Sequence, residues 1–113
     1  MALARFLALA GIAAGVAATA CKRGGGEPGT CTVDVLNVCT EYDAAAGKAG
    51  QRVCGGGIWR PGAGTCRADG LLGTCALQGD EIVEHRYGGP PNNFSAAGAR
   101  RTCETSGGAW RDR

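Results

Sequence analysis

The spacing of hydrophobic positions divides this chain into three parts. Residues 6–20 form one uncharged run of apolar and small residues. Residues 22–30, which read KRGGGEPGT, contain no large apolar side chain and predict a tether. From residue 31 onward, apolar residues either alternate with polar ones or recur at helical spacing, between turns rich in glycine. This third part predicts one small folded domain over residues 31–113.

Two segments of the third part predict short helices. Asp43 is suited to cap a helix that ends near Cys54, where three glycines follow. Asn93 or Ser95 is suited to cap a second helix that ends near Glu104, shortly before another glycine pair. Both predicted helices therefore begin at a polar cap and end close to a cysteine.

Alternation over residues 71–87 predicts a β-hairpin. Four residues of its first strand would share one face: Leu71, Gly73, Cys75 and Leu77. Gly79 and Asp80 form the turn, and residues 81–87 run back. With the two helices, this hairpin predicts an α+β class: a small disulfide-rich domain with a short antiparallel sheet and two short helices.

Two parts of the domain repeat one order of motifs. AGQRVCGGGIW at 49–59 matches AGARRTCETSGGAW at 97–110, since both contain Ala-Gly, a basic residue, Cys and then Gly-Gly-x-Trp. The tripeptide GTC occurs three times, at 29–31, 64–66 and 73–75. The pattern predicts an internal duplication with repeats at about 31–62 and 73–113.

Large aromatic residues are scarce and recur at matching places in the two repeats. Each block follows a tyrosine, Tyr42 or Tyr87, and ends at a tryptophan, Trp59 or Trp110. Duplicated halves would bury equivalent residues, and the domain has few other large apolar side chains. We therefore expect both tryptophans in the core.

The predicted domain contains six of the chain's seven cysteines. An even set in a small exported chain predicts a disulfide framework, here of three bridges. Small domains often need such covalent cross-links because the burial of apolar surface alone contributes too little to their stability. Ala96, Ala99 and Cys103 would share the inner face of the second helix. Cys103 on that face and Cys75 on the strand face should point into one core, which predicts the Cys75–Cys103 bridge.

The remaining bridges follow less directly from the repeats. The duplication predicts a bridge that ends at Cys54 and begins at Cys31 or at Cys39, with Cys31 slightly favoured. The last bridge would then join Cys66, between the repeats, to the start of the domain.

The seventh cysteine, Cys21, directly follows Ala-Thr-Ala. Residues 1–20 have the layout of an export signal: a short start with Arg5, an apolar centre and a small-residue end. The uncharged run of 15 residues is shorter than the roughly 20 that a membrane-spanning helix needs. Cleavage is therefore predicted between Ala20 and Cys21.

Ala-Thr-Ala followed by Cys21 resembles a bacterial lipobox, with Ala18 at the position where the usual motif has leucine. The resemblance implies that Cys21 becomes the new N-terminus and carries a diacylglyceryl thioether and an N-acyl chain such as palmitate. It also accounts for the odd cysteine count. Residues 21–30 would then be the anchor site and tether. Lys22 is not the aspartate that retains lipoproteins in the inner membrane, which implies the outer membrane.

Motifs elsewhere favour neither catalysis nor a metal or other cofactor. No cysteines have the close spacing of a zinc site, and His85, the single histidine, is expected as a surface or half-buried strand residue. Neither Ser95 nor Ser106 lies in a G-x-S-x-G motif. The formal net charge is only +2, without a basic stripe, which argues against nucleic-acid binding.

The repeated AG-x(3–4)-C…GGxW element resembles that of small cysteine-rich bacterial lipoproteins whose role is not known, and it implies a fold rather than an activity. The predicted function is a lipid-anchored, non-catalytic cell-envelope protein with a binding or structural role. Its lipidated Cys21 would hold it in the membrane, facing the periplasm or the surface, and its partner would be an envelope protein or a glycan. The alternatives are a secreted, soluble inhibitor or effector and, as a third, a small hydrolase.

Overall fold

The structure, a computed structural model, describes residues 26–113. The expected export signal at 1–20, the expected cleavage position after Ala20 and the expected acceptor Cys21 lie outside the described residues.

Six antiparallel strands form one sheet in the described part of the chain. The strands are β1 (Gly29–Val33), β2 (Val38–Tyr42), β3 (Ile58–Pro61), β4 (Leu71–Leu77), β5 (Ile82–Tyr87) and β6 (Ala109–Asp112). Their order across the sheet is β3–β1–β2–β5–β4–β6. The predicted disulfide-rich α+β domain with an antiparallel sheet is confirmed. The sheet is larger than expected because the segments around both tryptophans pair as edge strands.

Two helices cover one face of this sheet. They are α1 (Gly47–Val53) and α2 (Ala96–Thr105), and a 3-10 turn, Asp34–Leu36, joins β1 to β2. Residues directly opposite in antiparallel strands point to the same face. Cys31 lies opposite Thr40, Thr40 opposite Glu84, and Glu84 opposite Cys75. Cys31 and Cys75 therefore project from one face, and each is bonded to the end of a helix.

The first half (residues 29–61) and the second half (residues 71–112) have the same order of elements: a hairpin, a helix and a third strand. In each half the third strand pairs with the first strand of the hairpin. This pairing places Trp59 opposite Cys31 and Trp110 opposite Cys75. β2 and β5 pair at the centre of the sheet and join the halves.

Three disulfides connect all six cysteines of the domain: Cys31–Cys54, Cys39–Cys66 and Cys75–Cys103. Their Cα–Cα distances are 5.7, 5.8 and 5.7 Å, inside the usual range. The disulfide-bonded character of the domain is confirmed, and the pairing is the one that the sequence favoured.

α1 begins four residues after the predicted cap. The carboxylate of Asp43 accepts hydrogen bonds from the backbone N–H groups of Ala45 and Ala46, at 2.9 and 3.1 Å, so it closes a turn that precedes the helix. The helix itself begins at Gly47, where the carbonyl oxygen of Glu27 occupies the place of a Cβ. The predicted start is therefore wrong by about one helical turn.

α2 begins at one of its two predicted caps. The Oγ atom of Ser95 accepts a hydrogen bond from the backbone N–H of Gly98 at 3.0 Å. Ala99 and Cys103 are buried, as expected for the inner face of the helix. Ala96, also expected there, is exposed because it lies in the first turn, before the helix reaches the sheet.

The buried interior consists mainly of small and sulfur-containing residues. Its buried apolar members are Cys31, Cys39, Ala46, Cys54, Cys75, Ala76, Tyr87, Ala99 and Cys103. The expectation that both tryptophans belong to the core is wrong, since Trp59 and Trp110 are only half-buried. Each ring lies over a glycine of the neighbouring strand, Gly29 or Gly73, at the position that a Cβ would take. Disulfides and alanines fill the narrow space beneath the helices, so the rings lie near the sheet edges.

The folded domain extends further towards the N-terminus than the sequence indicates. β1 begins at Gly29, two residues before the expected boundary at 31, and Thr30 is fully buried. The carbonyl oxygen of Pro28 accepts a hydrogen bond from the N–H of Gly62 at 2.8 Å. The end of the predicted tether is therefore part of the sheet.

Candidate functional site

The connection between the two halves crosses the sheet on the face opposite the helices. β3 lies at one edge and β4 next to the other edge, so residues 62–70 must pass over the strands between them. We call these residues the crossing loop. Cys66, near its centre, is bonded to Cys39 on β2. This bridge holds the loop over the middle of the sheet.

Hydrogen bonds before the bridge hold the crossing loop independently of the disulfide. The hydroxyl groups of Thr65 and Thr30 are hydrogen-bonded to each other. The backbone N–H of Gly64 donates to Oε1 of Glu41 at 3.0 Å. The first part of the loop is therefore attached to both β1 and β2.

Tyr87 and Arg67 hold the loop after the bridge. The Tyr87 hydroxyl donates to the backbone carbonyl of Arg67 at 2.8 Å, and the Arg67 guanidinium carbon lies 4.3 Å from the centre of the Tyr87 ring. Burial raises the pKa of the Tyr87 hydroxyl, while Arg67 lowers this pKa and Glu41 raises it by smaller amounts. Neutral Tyr87 is thus a structural donor at neutral pH.

His85 lies half-buried on the same face, in agreement with its expectation as a strand residue. It is directly opposite Cys39, and its Nε2 atom lies 3.3 Å from Oε2 of Glu41. That nitrogen is buried and has no hydrogen-bond partner of acceptable geometry. The ligand atoms of Glu41, Cys66 and His85 lie within 4.8 Å of one another. Because the sulfur of Cys66 is in a disulfide, only the carboxylate and the imidazole are available to a metal.

A pocket of about 210 Å³ opens beside the Cys39–Cys66 bridge. Its wall is mixed: the polar and charged side chains are Thr32, Asp34, Asn37, Arg60, Thr65 and Arg67, and the other lining residues are Val38, Cys39, Ile58 and Tyr87. The two guanidinium groups and the hydroxyls can together bind a polar or anionic group. The pocket contains no titratable nucleophile paired with a base.

Asn37 connects the elements around this pocket. It is 4% exposed and has a φ of 57°. Its Nδ2 group donates to the carbonyl oxygens of Gly88, Gly89 and Pro90, at 3.3, 3.0 and 3.3 Å. Its Oδ1 atom accepts a hydrogen bond from Arg67 at 3.4 Å. Asn37 therefore joins the β1–β2 turn to the segment after β5 and orients the guanidinium of Arg67.

The helix face carries a more apolar groove of about 350 Å³ between the β1–β2 turn and α2. Apolar side chains on its wall are Val33, Leu36, Val38 and Phe94, of which Leu36 is 56% and Phe94 43% exposed. Arg86 lies at its base and donates to the carbonyl oxygen of Ala99 at 3.2 Å and to the Thr102 hydroxyl. It also pairs with Glu84. The charge of Arg86 is thus already partnered within the domain.

The sequence slightly favoured the bridge that anchors the crossing loop but did not indicate its surroundings, which include Asn37, Glu41, Arg60 and Arg67. Asn37 carried one signal, since asparagine between two strand segments often adopts a left-handed turn conformation. Ala20 and Cys21, the expected cleavage and lipidation positions, lie outside the described residues.

Comparison with known proteins gives no relative from which a role could be transferred, since no protein-family model, no curated protein and no solved structure matches the chain. Between residues 26 and 113, no helix has the length and apolar character needed to cross a bilayer.

Proposed function

We propose that this chain is a lipid-anchored, non-catalytic protein of the bacterial cell envelope, whose disulfide-bonded domain binds another envelope component. The observation that supports it most is the closed set of pairs among the six domain cysteines. These pairs leave Cys21, directly after Ala-Thr-Ala, without a cysteine partner in the chain. Lipidation provides a role for that residue.

The compartment and the anchor are consistent with each other. Disulfides persist in oxidising surroundings such as the periplasm and the cell surface. Stable anchoring needs more than one acyl chain, since each buried methylene contributes about 0.8 kcal/mol and a single chain is marginal. A lipobox cysteine would carry several such chains. Because Lys22 is not the aspartate that retains lipoproteins in the inner membrane, we propose the outer membrane, facing the periplasm or the surface.

The early start of β1 would keep the domain near the lipid surface. Only residues 22–28 separate Cys21 from Gly29. The eight residue-to-residue steps from Cys21 to Gly29 have a root-mean-square reach of about 15 Å, at roughly 5–6 Å times the square root of their number. We infer that the anchored domain acts beside the membrane and does not extend across the periplasm.

The pocket beside the Cys39–Cys66 bridge is the best-supported binding surface. Its guanidinium and hydroxyl groups suit a partner rich in hydroxyl and carboxylate oxygens. We therefore favour an acidic cell-wall glycan over an envelope protein as the partner. Arg60 is exposed at the pocket mouth, whereas Asn37 is buried and structural.

Mass spectrometry of the mature N-terminus tests the anchor. The wild type should begin at Cys21, carry acyl chains and enter the detergent phase of a detergent extraction. Cys21→Ser should remain uncleaved or enter the aqueous phase, while the neighbouring control Thr19→Ser should behave as the wild type. A wild-type protein in the aqueous phase, with a mature mass that lacks acyl chains, contradicts the proposal and favours the secreted alternative.

Titration with soluble cell-wall glycan fragments tests the binding surface. Loss of a charged hydrogen bond costs about 1.5–3 kcal/mol, so Arg60→Gln should weaken binding at least about tenfold. Arg113→Gln, an exposed substitution at the other end of the domain, is the matched control. Equal binding by the wild type and Arg60→Gln would exclude this pocket.

We further propose that the two halves arose by internal duplication. The GTC motifs at 29–31 and 73–75 support this origin, because in both the glycine lies under a tryptophan and the cysteine is bonded to a helix. The third GTC, at 64–66, lies in the crossing loop and has no equivalent. A chain in which residues 71–112 replace residues 29–61 should still form a sheet if the halves are equivalent, and failure to fold would argue against it.

A further inference from the structure

We propose that opening of the Cys39–Cys66 disulfide converts the cluster under the crossing loop into a zinc site, with both cysteine thiolates, His85 and Glu41 as ligands. This site is independent of the proposed lipid anchor, and of its four ligands it shares Cys39 with the lining of the pocket beside it. It exists only in the reduced form, because the sulfur atoms of the oxidised form are bonded to each other.

Three of the four side chains are already close enough for one metal ion, and the fourth, Cys39, is the disulfide partner of Cys66. The ligand atoms of Glu41, Cys66 and His85 lie within 4.8 Å of one another, and Cys39 is bonded to Cys66. In a tetrahedral zinc site with bonds of about 2.0–2.3 Å, ligand atoms are about 3.5 Å apart. Small side-chain movements are therefore sufficient, and the ligand set of two sulfurs, one nitrogen and one oxygen suits zinc.

Among the four proposed ligands, His85 has a side-chain nitrogen that forms no hydrogen bond in the oxidised protein. Its Nε2 atom is buried without a hydrogen-bond partner, which is costly for a polar atom. The nearest charged atom is Oε2 of Glu41, at 3.3 Å. Glu41 is itself oriented by the N–H of Gly64, which binds its other oxygen. Both groups thus have a ligand atom within 4.8 Å of the Cys66 sulfur.

The Cys39–Cys66 bridge is the one that a reductant reaches most easily. Cys75 and Cys103 are fully buried, and Cys31 and Cys54 are 5% and 8% exposed. Cys66 is half-buried and belongs to a loop, not to a helix or strand, whereas its partner Cys39 is only 2% exposed. Since thiol–disulfide exchange requires access to a sulfur atom, this bridge should open first.

The crossing loop remains in place after its bridge opens. It keeps the Thr65–Thr30 hydrogen bond and the contact between the Tyr87 hydroxyl and the carbonyl of Arg67. These contacts lie directly on either side of Cys66. The freed thiol therefore stays near Cys39 and His85.

The chemistry balances with a dithiol as reductant. The dithiol transfers two electrons and two protons to the disulfide, becomes a disulfide itself, and leaves two cysteine thiols. Zinc binding then releases the two thiol protons, while His85 binds through the lone pair of neutral Nε2 and Glu41 binds as a carboxylate.

Limited reduction of the purified full-length protein tests this site. A low concentration of dithiothreitol, removed before zinc is added, should open Cys39–Cys66 first, as shown by maleimide labelling and mass mapping. Native mass spectrometry should then show one zinc ion per chain, and zinc should protect both cysteines from the label. The oxidised protein should bind no zinc under the same conditions.

Variants of the two ligands that are not cysteines distinguish a four-ligand zinc site from zinc binding by the two cysteine thiolates alone. His85→Gln and Glu41→Gln should each weaken zinc binding at least about tenfold, because even second-shell changes cost 10–100-fold. Glu81→Gln, on the nearby β4–β5 turn, is the control. The proposal would be overturned if another bridge opened first, or if the oxidised protein bound zinc as well as the reduced protein. It would also be overturned if the reduced wild type bound no zinc, or bound it no more tightly than both variants.

Discussion

The first and second halves of the domain have the same arrangement of residues around their disulfides but differ in the length and capping of their helices. In both, a glycine under a tryptophan lies two residues before a bridged cysteine, and a second glycine lies two residues before the tryptophan, close to the bridge. α1, however, has seven residues and no side-chain cap, whereas α2 has ten residues and is capped by Ser95. The geometry around a bridge tolerates little variation, while the length of an adjoining helix is free to change.

The register shows which residues of the two halves correspond. Cys31 lies opposite Thr40 and Cys75 lies opposite Glu84. Two residues further along, Tyr42 therefore corresponds to Arg86. Tyr87, which takes the place of Tyr42 in the repeated sequence pattern, lies on the opposite face of the sheet.

This replacement of tyrosine by arginine explains a difference between the helices. The ring of Tyr42 fills the place of a Cβ at Gly50, four residues before the bridged cysteine of α1. At the same position of α2 stands Ala99, whose carbonyl oxygen accepts a hydrogen bond from Arg86. Each helix thus carries the residue size that the strand beneath it allows.

The largest expected effect comes from removing the equivalent bridges. Cys31→Ala/Cys54→Ala and Cys75→Ala/Cys103→Ala open loops with sequence separations of 23 and 28. The chain-entropy model predicts that each change lowers the free energy of unfolding by about 3–4 kcal/mol. The second pair should lose more, because both cysteines are fully buried and leave a cavity. Urea unfolding measures both values.

Cys39→Ala/Cys66→Ala provides the control, since this bridge has no equivalent in the other half. It should remove the covalent link of the crossing loop, which keeps its hydrogen bonds to Thr30 and Tyr87, without disrupting either helix. If one of the two equivalent bridges contributed no stability, the energetic likeness of the halves would be refuted.

The next largest loss of stability is expected when the glycines beneath the tryptophans are replaced by alanine. Gly29→Ala places a methyl group inside the ring of Trp59, and Gly73→Ala does so at Trp110. Overpacking of this kind costs about 1–3 kcal/mol, and the two losses should be similar. Gly56→Ala is the control, because a Cβ there meets nothing within 4 Å. Thermal unfolding gives the comparison, and a loss at Gly56 equal to that at Gly29 would remove the steric explanation.

A smaller effect distinguishes the starts of the two helices. Ser95→Ala removes the cap of α2 and should lower the free energy of unfolding by about 1 kcal/mol, whereas Ser95→Asp keeps an acceptor and should lower it little. Asp43→Ala removes an exposed turn contact before α1 and should cost about 0.5–1 kcal/mol. Equal losses for the alanine and aspartate variants at Ser95 would show that its hydroxyl does not act as a cap.

The smallest effect appears at high pH. Burial, followed by the charge of Glu84, raises the pKa of Tyr42, and burial also raises the pKa of Tyr87. The unfolded chain therefore loses these protons first, near pH 10. Their contribution to stability should be complete below that pH and decline as the pH rises through the higher pKa values of the folded state. Denaturation monitored between pH 9 and about 12 should show this decline, and Tyr42→Phe should reduce it. A stability that rises over this range would contradict the assignment.

The sequence by itself predicted the parts of this domain that depend on local chemistry. The polar cap at Ser95, the hairpin turn near Gly79 and the antiparallel strands follow from residue types and short-range spacing. The bridge between Cys75 and Cys103 was also predictable, because each cysteine lies on the apolar face of its own element. The odd cysteine, Cys21, remains the strongest reason for the anchor proposal.

Only the tertiary structure decided which surfaces meet. The number of strands depended on pairing between β1 and β3 and between β4 and β6, across segments that contain a helix. The tryptophans lie near the edges because the bridges and small side chains already fill the space beneath the helices. His85 and Glu41 lie side by side under the crossing loop because β2 pairs with β5, a contact between residues far apart in the chain. Such contacts depend on the register of several strands at once, and local patterns of hydrophobicity do not determine that register.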